Sequence, residues 1–263
     1  MKVAGRSVLI TGATGGLGGA IARKLAGAGA HVIVSGRRPD VLTDLAKELD
    51  AEIAAADLAD PASVRALIAA HMDVDILVAN AGLPGSGRLD SFTQEQIDRA
   101  LDVNLRAPIM MARALSPRMV ERGSGHIVFM SSLAGKTATA GSSIYNATKF
   151  GLRGFAGALR AELHGTGVGV SAIFPGFIRD AGMFADAGVK LPPGVGTKSP
   201  EHVATATLRA IERDKGEVDV APIGLKVGTV FGSLLPEAAA LVTRKMGGDA
   251  IAQRFETGQK AKR

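Results

Sequence analysis

Seven short runs of β-branched and apolar residues recur along the chain, at 7–11, 31–35, 52–56, 76–80, 126–131, 168–174 and 217–220. The gaps hold longer Ala/Leu-rich stretches with helical periodicity. Strands separated by helix-length segments need crossover connections, so the pattern predicts a parallel sheet covered by helices on both faces. That is a doubly wound α/β fold. Two stretches break the alternation, 83–90 and 177–199, and the second carries Gly182, Gly188, Pro192, Pro193, Gly194 and Gly196. A long Gly/Pro-rich loop after a strand end is where open α/β sheets bind ligands, so 177–199 is expected to be a substrate loop. The apolar stretch 227–235, bounded by Lys226 and Pro236, is far short of the roughly 20 residues that cross a bilayer. It is expected to be a helix buried against the core or a subunit contact, within a C-terminal helical segment at about 227–246, with an interfacial amphipathic helix as the alternative.

Composition narrows this to one domain over 1–263: at 46% hydrophobic residues the chain has enough apolar material for one sizeable core. Cysteine is absent, so neither disulfides nor thiolate metal sites can form, and the five histidines are scattered without ligand spacing. No metal is expected. The chain enters its first strand-like run at Ser7, without the regions of a signal peptide, which makes the cytoplasm the expected compartment. A net charge of +6 could signal nucleic acid, yet aromatics are 4% and no Lys/Arg cluster is interleaved with stacking residues. No nucleic-acid partner is expected, and the basic residues Lys260, Lys262 and Arg263 read as a frayed tail.

Between the first strand and the first helix lies Thr11-Gly12-Ala13-Thr14-Gly15-Gly16-Leu17-Gly18. Gly12 permits the sharp turn, Gly16 lets backbone approach a pyrophosphate and Gly18 allows close helix–strand packing, while the helix N-terminus offers N–H groups and a positive dipole end. The spacing departs from the commoner Gly-x-Gly-x-x-Gly. At the end of the second strand, where an acid would bind the ribose hydroxyls of NAD, the chain has Arg37 and Arg38. Two guanidiniums suit the 2′-phosphate of NADP(H), which is expected in preference to NAD(H).

Tyr145, the one tyrosine in the sequence, and Lys149 are four apart on a helical pattern and share a face. An ammonium beside a phenol is expected to lower the phenol's pKa and make it a better acid/base group. The glycine loop, Asn80-Ala81-Gly82, Asn104, Ser131-Ser132, Tyr145-x-x-x-Lys149 and Pro175-Gly176 occur in one order, and together they resemble the short-chain dehydrogenase/reductase family over about residues 5 to 220.

The resemblance implies a seven-stranded Rossmann-like sheet and an oxidoreductase that moves a hydride between a nicotinamide and a carbonyl or alcohol carbon. Ser132, thirteen positions before Tyr145, would hydrogen-bond the substrate oxygen, and Tyr145 would donate or remove the proton. Lys149 would contact the nicotinamide ribose, and Asn104 would hold a water in a proton relay. Thr14 and Leu17 would lie in the cofactor loop, Asp57 would meet the adenine amino group with Leu58 beside it, and Asn80, Ala81 and Gly82 would flank the adenosine ribose. Pro175, Gly176 and the backbone near Ile178 would meet the nicotinamide end. Asp180 stands where the family usually has threonine. A homodimer or homotetramer built on the helices after Thr93 and Tyr145 is also implied. Phe177, Met183, Phe184, Val189 and Leu191 point to an apolar small-molecule substrate. Two other functions fit the same residues: a dinucleotide-binding sensor that has lost its chemistry, and a ketone reductase acting on lipids at a membrane surface.

Overall fold

The computed structural model describes residues 1–189, 191, 195–245 and 255–259. Seven strands, β1 (Ser7–Thr11), β2 (His31–Gly36), β3 (Glu52–Ala55), β4 (Ile76–Ala79), β5 (Gly125–Met130), β6 (Val168–Pro175) and β7 (Glu217–Val220), form one sheet in the order β3-β2-β1-β4-β5-β6-β7. Every pairing is parallel, with Val8 opposite Val32 on one side and Ile76 on the other. The expected runs match these strands to within a residue at most ends, because each carries enough β-branched residues to be distinguished from the Ala/Leu-rich helices between them.

The helices are α1 (Gly16–Ala26), α2 (Pro39–Leu49), α3 (Pro61–Ala70), α4 (Gln94–Leu101), α5 (Ala107–Glu121), α6 (Ser143–Glu162), α7 (Met183–Ala187), α8 (Pro200–Glu212), α9 (Ile223–Leu234) and α10 (Pro236–Lys245). Both faces of the sheet are buried, and alternation along β1 shows how: Val8 and Ile10 pack with Ile21, Leu42 and Val203 from α1, α2 and α8. Leu9 turns the other way, into a cluster with Leu67, Met111 and Leu152 from α3, α5 and α6. The sheet order reverses direction between β1 and β4, and a crevice at their C-terminal ends is the binding position in such folds.

The 177–199 loop is closed at its neck by a bridge between Ile178 and Lys198 and carries α7; positions 192–194 lie outside the described residues. The C-terminal segment is two helices broken at Pro236, whose missing N–H and fixed φ favour a new first turn. Of the two expectations for 227–235, burial against the core is not met, since Val227 is 63% and Leu234 74% exposed and α9 buries only Thr229 and Gly232, whereas a subunit contact is compatible with that exposure. The strip that faces the protein runs through Leu225, Thr229 and Gly232, and it leaves Val227, Val230 and Leu234 outside. The expected end of this segment at residue 246 and the basic tail at 260–263 lie outside the described residues. Among the described residues no helix is long and apolar enough to cross a membrane.

Candidate active site

The C-terminal edge of the sheet opens on a cavity of about 1590 Å³ that runs from the glycine loop to Tyr145. Its floor begins at Gly12, whose φ of +66° suits glycine and whose added Cβ would lie 2.7 Å from the Ala81 Cα. At Gly18 a Cβ would meet the Gly12 carbonyl at 2.2 Å, so α1 can start against the turn only because the methyl is absent. Gly16 has a packing constraint beyond the role expected of it, since a Cβ there would meet the Ala181 side chain at 2.2 Å, where the 177–199 loop comes down on the cradle. The α1 N-terminus has no side-chain cap and no acid in its first turn, leaving its N–H groups and dipole for an anion.

Arg37 and Arg38 stand exposed on the cavity rim just past β2, and the Arg38 guanidinium donates to the Thr14 carbonyl. Leu17 lines the same stretch of cavity, and Leu58 is buried beside Asp57. The Asp57 carboxylate accepts from the Ala59 N–H at 3.0 Å and lies 3.7 Å from Arg99, a cavity residue that sequence reasoning missed. Asn80 is turned inward: its side-chain amide donates to the carbonyls of Thr11 (3.0 Å) and Gly12 (3.3 Å), so it braces the turn while Ala81 and Gly82 line the cavity.

At the other end, Tyr145 and Lys149 lie one turn apart on α6, and Ser132 follows β5 directly. The Ser132 hydroxyl donates to the Pro175 carbonyl at 3.4 Å, accepts from the Ala134 N–H at 3.1 Å, and lies near enough to the Tyr145 phenol to favour its ionised form. Lys149 Nζ donates to the Met130 carbonyl at 2.9 Å and sits 5.6 Å from the Tyr145 ring centre. Asn104 is buried in a π-helical turn between α4 and α5, where its side chain accepts from the Leu83 N–H (2.6 Å) and donates to the Leu83 carbonyl (2.9 Å). It therefore clamps the 83–90 loop, and its side chain is engaged with protein.

The expected effect of Lys149 on Tyr145 is corrected by the structure. Burial pushes the phenol above its ordinary value, with the nearby Ser132 hydroxyl opposing, and burial pulls Lys149 down from 10.5 to about 8. Loss of water penalises the charged form of each group, and the ammonium directs one of its N–H groups to the Met130 carbonyl. Tyr145 is thus held as a neutral phenol, the form that can donate a proton.

Several supporting residues carried no signal in the sequence. Asn146 donates to the carbonyls of Ala134 (2.6 Å) and Thr137 (3.0 Å) and accepts from the Thr139 N–H (3.3 Å), stitching the segment after Ser132 to α6. Ser131 donates to the Lys149 carbonyl at 3.1 Å. At the nicotinamide end expected from the resemblance, Pro175 and Gly176 line the cavity, and the bridge to Lys198 uses the Phe177 carbonyl and the Arg179 N–H. The backbone amide of Ile178 therefore points the opposite way. Asp180, at φ +69°, pairs with Arg179 at 3.2 Å. Asp is among the residues that tolerate this left-handed conformation.

One stretch of the cavity wall is aromatic. Phe177 packs with Phe184 (5.2 Å) and with Phe255 (6.2 Å), which reaches it from the C-terminal segment 255–259. Gln259 from the same segment is buried and donates to the Met183 carbonyl at 3.1 Å.

A glycine cradle, an uncapped helix end and two guanidiniums on one rim fit a phosphate-bearing dinucleotide, and the cavity joins them to a proton donor. The family model described as short chain dehydrogenase matches residues 6–190. The ketoacyl reductase HetN of a Nostoc species is 37% identical over 225 residues, covering 82% of this chain and 78% of that protein. The NADP-dependent 3-hydroxy acid dehydrogenase YdfG of Escherichia coli is 34% identical over 230 residues, covering 85% and 92%. A solved short-chain dehydrogenase from Sphingobium yanoikuyae in complex with NADPH superposes with a TM-score of 0.76 at 28% identity, covering 88% and 95%. The ordered motifs, the sheet and these likenesses lead to one conclusion: the chain belongs to the short-chain dehydrogenase family and is an NAD(P)-dependent oxidoreductase.

Proposed function

We propose that this enzyme is an NADP(H)-dependent reductase of ketones or aldehydes, working reversibly on the matching alcohols, with an apolar substrate. The observation that carries the reading is the half-buried, neutral Tyr145 phenol, set beside Ser132 in the same cavity as the glycine cradle. When bound, the cofactor supplies or accepts the hydride. Ser132 and Tyr145 converge on a substrate carbonyl oxygen as two hydroxyl donors, polarising it, and the Tyr145 proton moves to that oxygen as negative charge develops. Lys149 holds positive charge beneath the site, and Asn146 and Asn104 fix the two loops that bound it. Gly12, Thr14, Gly16, Leu17 and Gly18 take the pyrophosphate end, Asp57 and Leu58 the adenine, Asn80, Ala81 and Gly82 the ribose, and Pro175, Gly176 and Ile178 the nicotinamide carboxamide.

Arg37 and Arg38 support the NADP(H) preference, because each can make a charge-assisted contact with the 2′-phosphate worth about 1.5–3 kcal/mol. We therefore expect NADPH to be favoured over NADH at least about tenfold in kcat/KM. Replacing both arginines with alanine should remove the preference, and equal kinetics with the two cofactors in the unaltered enzyme would refute it. Phe177, Phe184 and Phe255 support an apolar substrate, to be identified by NADPH consumption across a panel of ketones and aldehydes. Half-exposed Leu101, Met110 and Phe150 on α4, α5 and α6 support a homodimer or homotetramer through those helices, which light scattering would count.

A further inference from the structure

Four residues past Ser132, Lys136 ends the short turn that the serine opens. The turn is one hydrogen-bonded unit. Ser132 accepts from the Ala134 N–H at 3.1 Å through its hydroxyl and from the Gly135 N–H at 2.8 Å through its carbonyl, and the Lys136 N–H closes on the Leu133 carbonyl at 2.9 Å. The Lys136 side chain then runs to the edge strand β7, where Nζ reaches Asp219 at 2.6 Å and Glu217 at 2.9 Å. Glu217 and Asp219 are two apart on β7, so both carboxylates stand on one face of it. Asp219 lies opposite Phe174 of β6, and the ammonium sits over that ring, 4.1 Å from its centre. Glu217 is also held by Arg153, one turn beyond Lys149 on α6, at 2.7 and 3.3 Å.

The Lys136 side chain is only 11% exposed. An ion pair at that depth carries a desolvation cost that an apolar side chain against Phe174 would not, so it adds little to stability over such a side chain. What it adds is geometry. An ammonium bonded to two carboxylates and seated on a ring has one position, and β7 is itself fixed by its pairing with β6. Asn146 holds the same segment from the α6 side, and the Ser233 hydroxyl donates to the Lys136 carbonyl at 2.8 Å from α9. Lys136 ties the far end of the turn to the sheet.

We propose that Lys136 is a positioning residue of the reaction, whose contacts with Asp219 and Glu217 hold the turn from Ser132 to Lys136 so that the Ser132 hydroxyl meets the substrate oxygen together with Tyr145. Lys136 acts through Ser132 and does not touch the reacting atoms. Its role rests on the proposed reductase reading, in which Ser132 is one of two hydroxyl donors. A turn released at its Lys136 end lets the Ser132 hydroxyl drift from the oxygen it shares with Tyr145. Misplacement of this kind is read in kcat and not in cofactor binding.

The test is a double-mutant cycle on kcat for NADPH-dependent reduction of benzylacetone, or of the panel ketone turned over fastest. Lys136→Met removes the ammonium and keeps an unbranched stem against Phe174. It should lower kcat about tenfold and leave the Kd for NADPH within about twofold. In a Ser132→Ala background, itself down by about a hundredfold, the same change should lower kcat less than about twofold, because the group through which Lys136 acts is gone. Lys136→Met combined with Asp219→Asn leaves no stranded carboxylate, and it too should stay down about tenfold. An unchanged kcat in Lys136→Met would overturn the positioning role, and so would an equal fold-loss with and without the Ser132 hydroxyl. Full recovery of kcat in the combination with Asp219→Asn would also overturn it, by tracing the loss to an uncompensated charge. Should Lys136→Met alone fail to fold, the combination with Asp219→Asn carries the same cycle in both backgrounds. Ser132→Ala at the unaltered kcat, or an unaltered enzyme that turns over no ketone, would remove the reductase reading and the Lys136 role with it.

Discussion

Replacing Lys149 with methionine should stabilise the cofactor-free protein near neutral pH while destroying its activity. Lys149 is 3% exposed, and burial drops its pKa from 10.5 to about 8. The gap corresponds to about 3 kcal/mol of folding free energy lost whenever the group is charged in both states. Below pH 8 the folded protein carries that cost in full. Between about 8 and 10.5 the unfolded chain binds a proton that the folded one does not, so stability rises with pH across that window. Methionine removes the cost but leaves the Met130 carbonyl without its 2.9 Å partner, a loss of about 1 kcal/mol. The variant should therefore exceed the unaltered protein by about 2 kcal/mol at pH 7, and the gap should close or reverse by about pH 10. Urea unfolding of both proteins at a series of pH values measures the difference, in which other titrating groups cancel. A variant less stable at pH 7, or a gap that does not change with pH, would refute the reasoning.

Two further outcomes follow from the same geometry. Asn146→Ala strips three hydrogen bonds from the segment after Ser132, which should cost about 3 kcal/mol and lower Tm by on the order of 10 °C; calorimetry showing a loss under about 1 kcal/mol would mean that water replaces the amide. Because burial holds Tyr145 as a neutral phenol, kcat for alcohol oxidation, which needs the phenolate, should climb steadily with pH from neutral upward, while kcat for carbonyl reduction stays flat over the same range; parallel profiles in the two directions would contradict this.

The sheet was legible in the sequence because each strand is a β-branched run bounded by turn residues, and a parallel order follows from helix-length gaps. That the glycine loop, Ser132, Tyr145 and Lys149 would meet in one cavity was legible too, since each stands at a strand end or helix start that the pattern places on one edge of the sheet. What could not be read depends on tertiary burial. The direction of the Tyr145 shift reverses once the phenol and the ammonium are both removed from water and Lys149 turns to Met130. The Asn146 stitch joins segments whose approach no local pattern records. Periodicity along 227–235 announces an apolar helix, but which face meets the protein is decided by Gly232 against Thr137, and that leaves the large side chains outside. Likewise, Phe255 meets Phe177 only because 255–259 lies against the 177–199 loop.

The central claim is that the Tyr145 phenol supplies the proton to the substrate oxygen. Tyr145→Phe keeps the ring and removes the hydroxyl, so it should lower kcat for carbonyl reduction by at least about a hundredfold, within the range expected of a general acid. The Kd for NADPH, read by fluorescence titration of the same preparation, should change less than about threefold, since the lost hydroxyl is neutral. Turnover that survives the substitution at the unaltered rate would contradict the account.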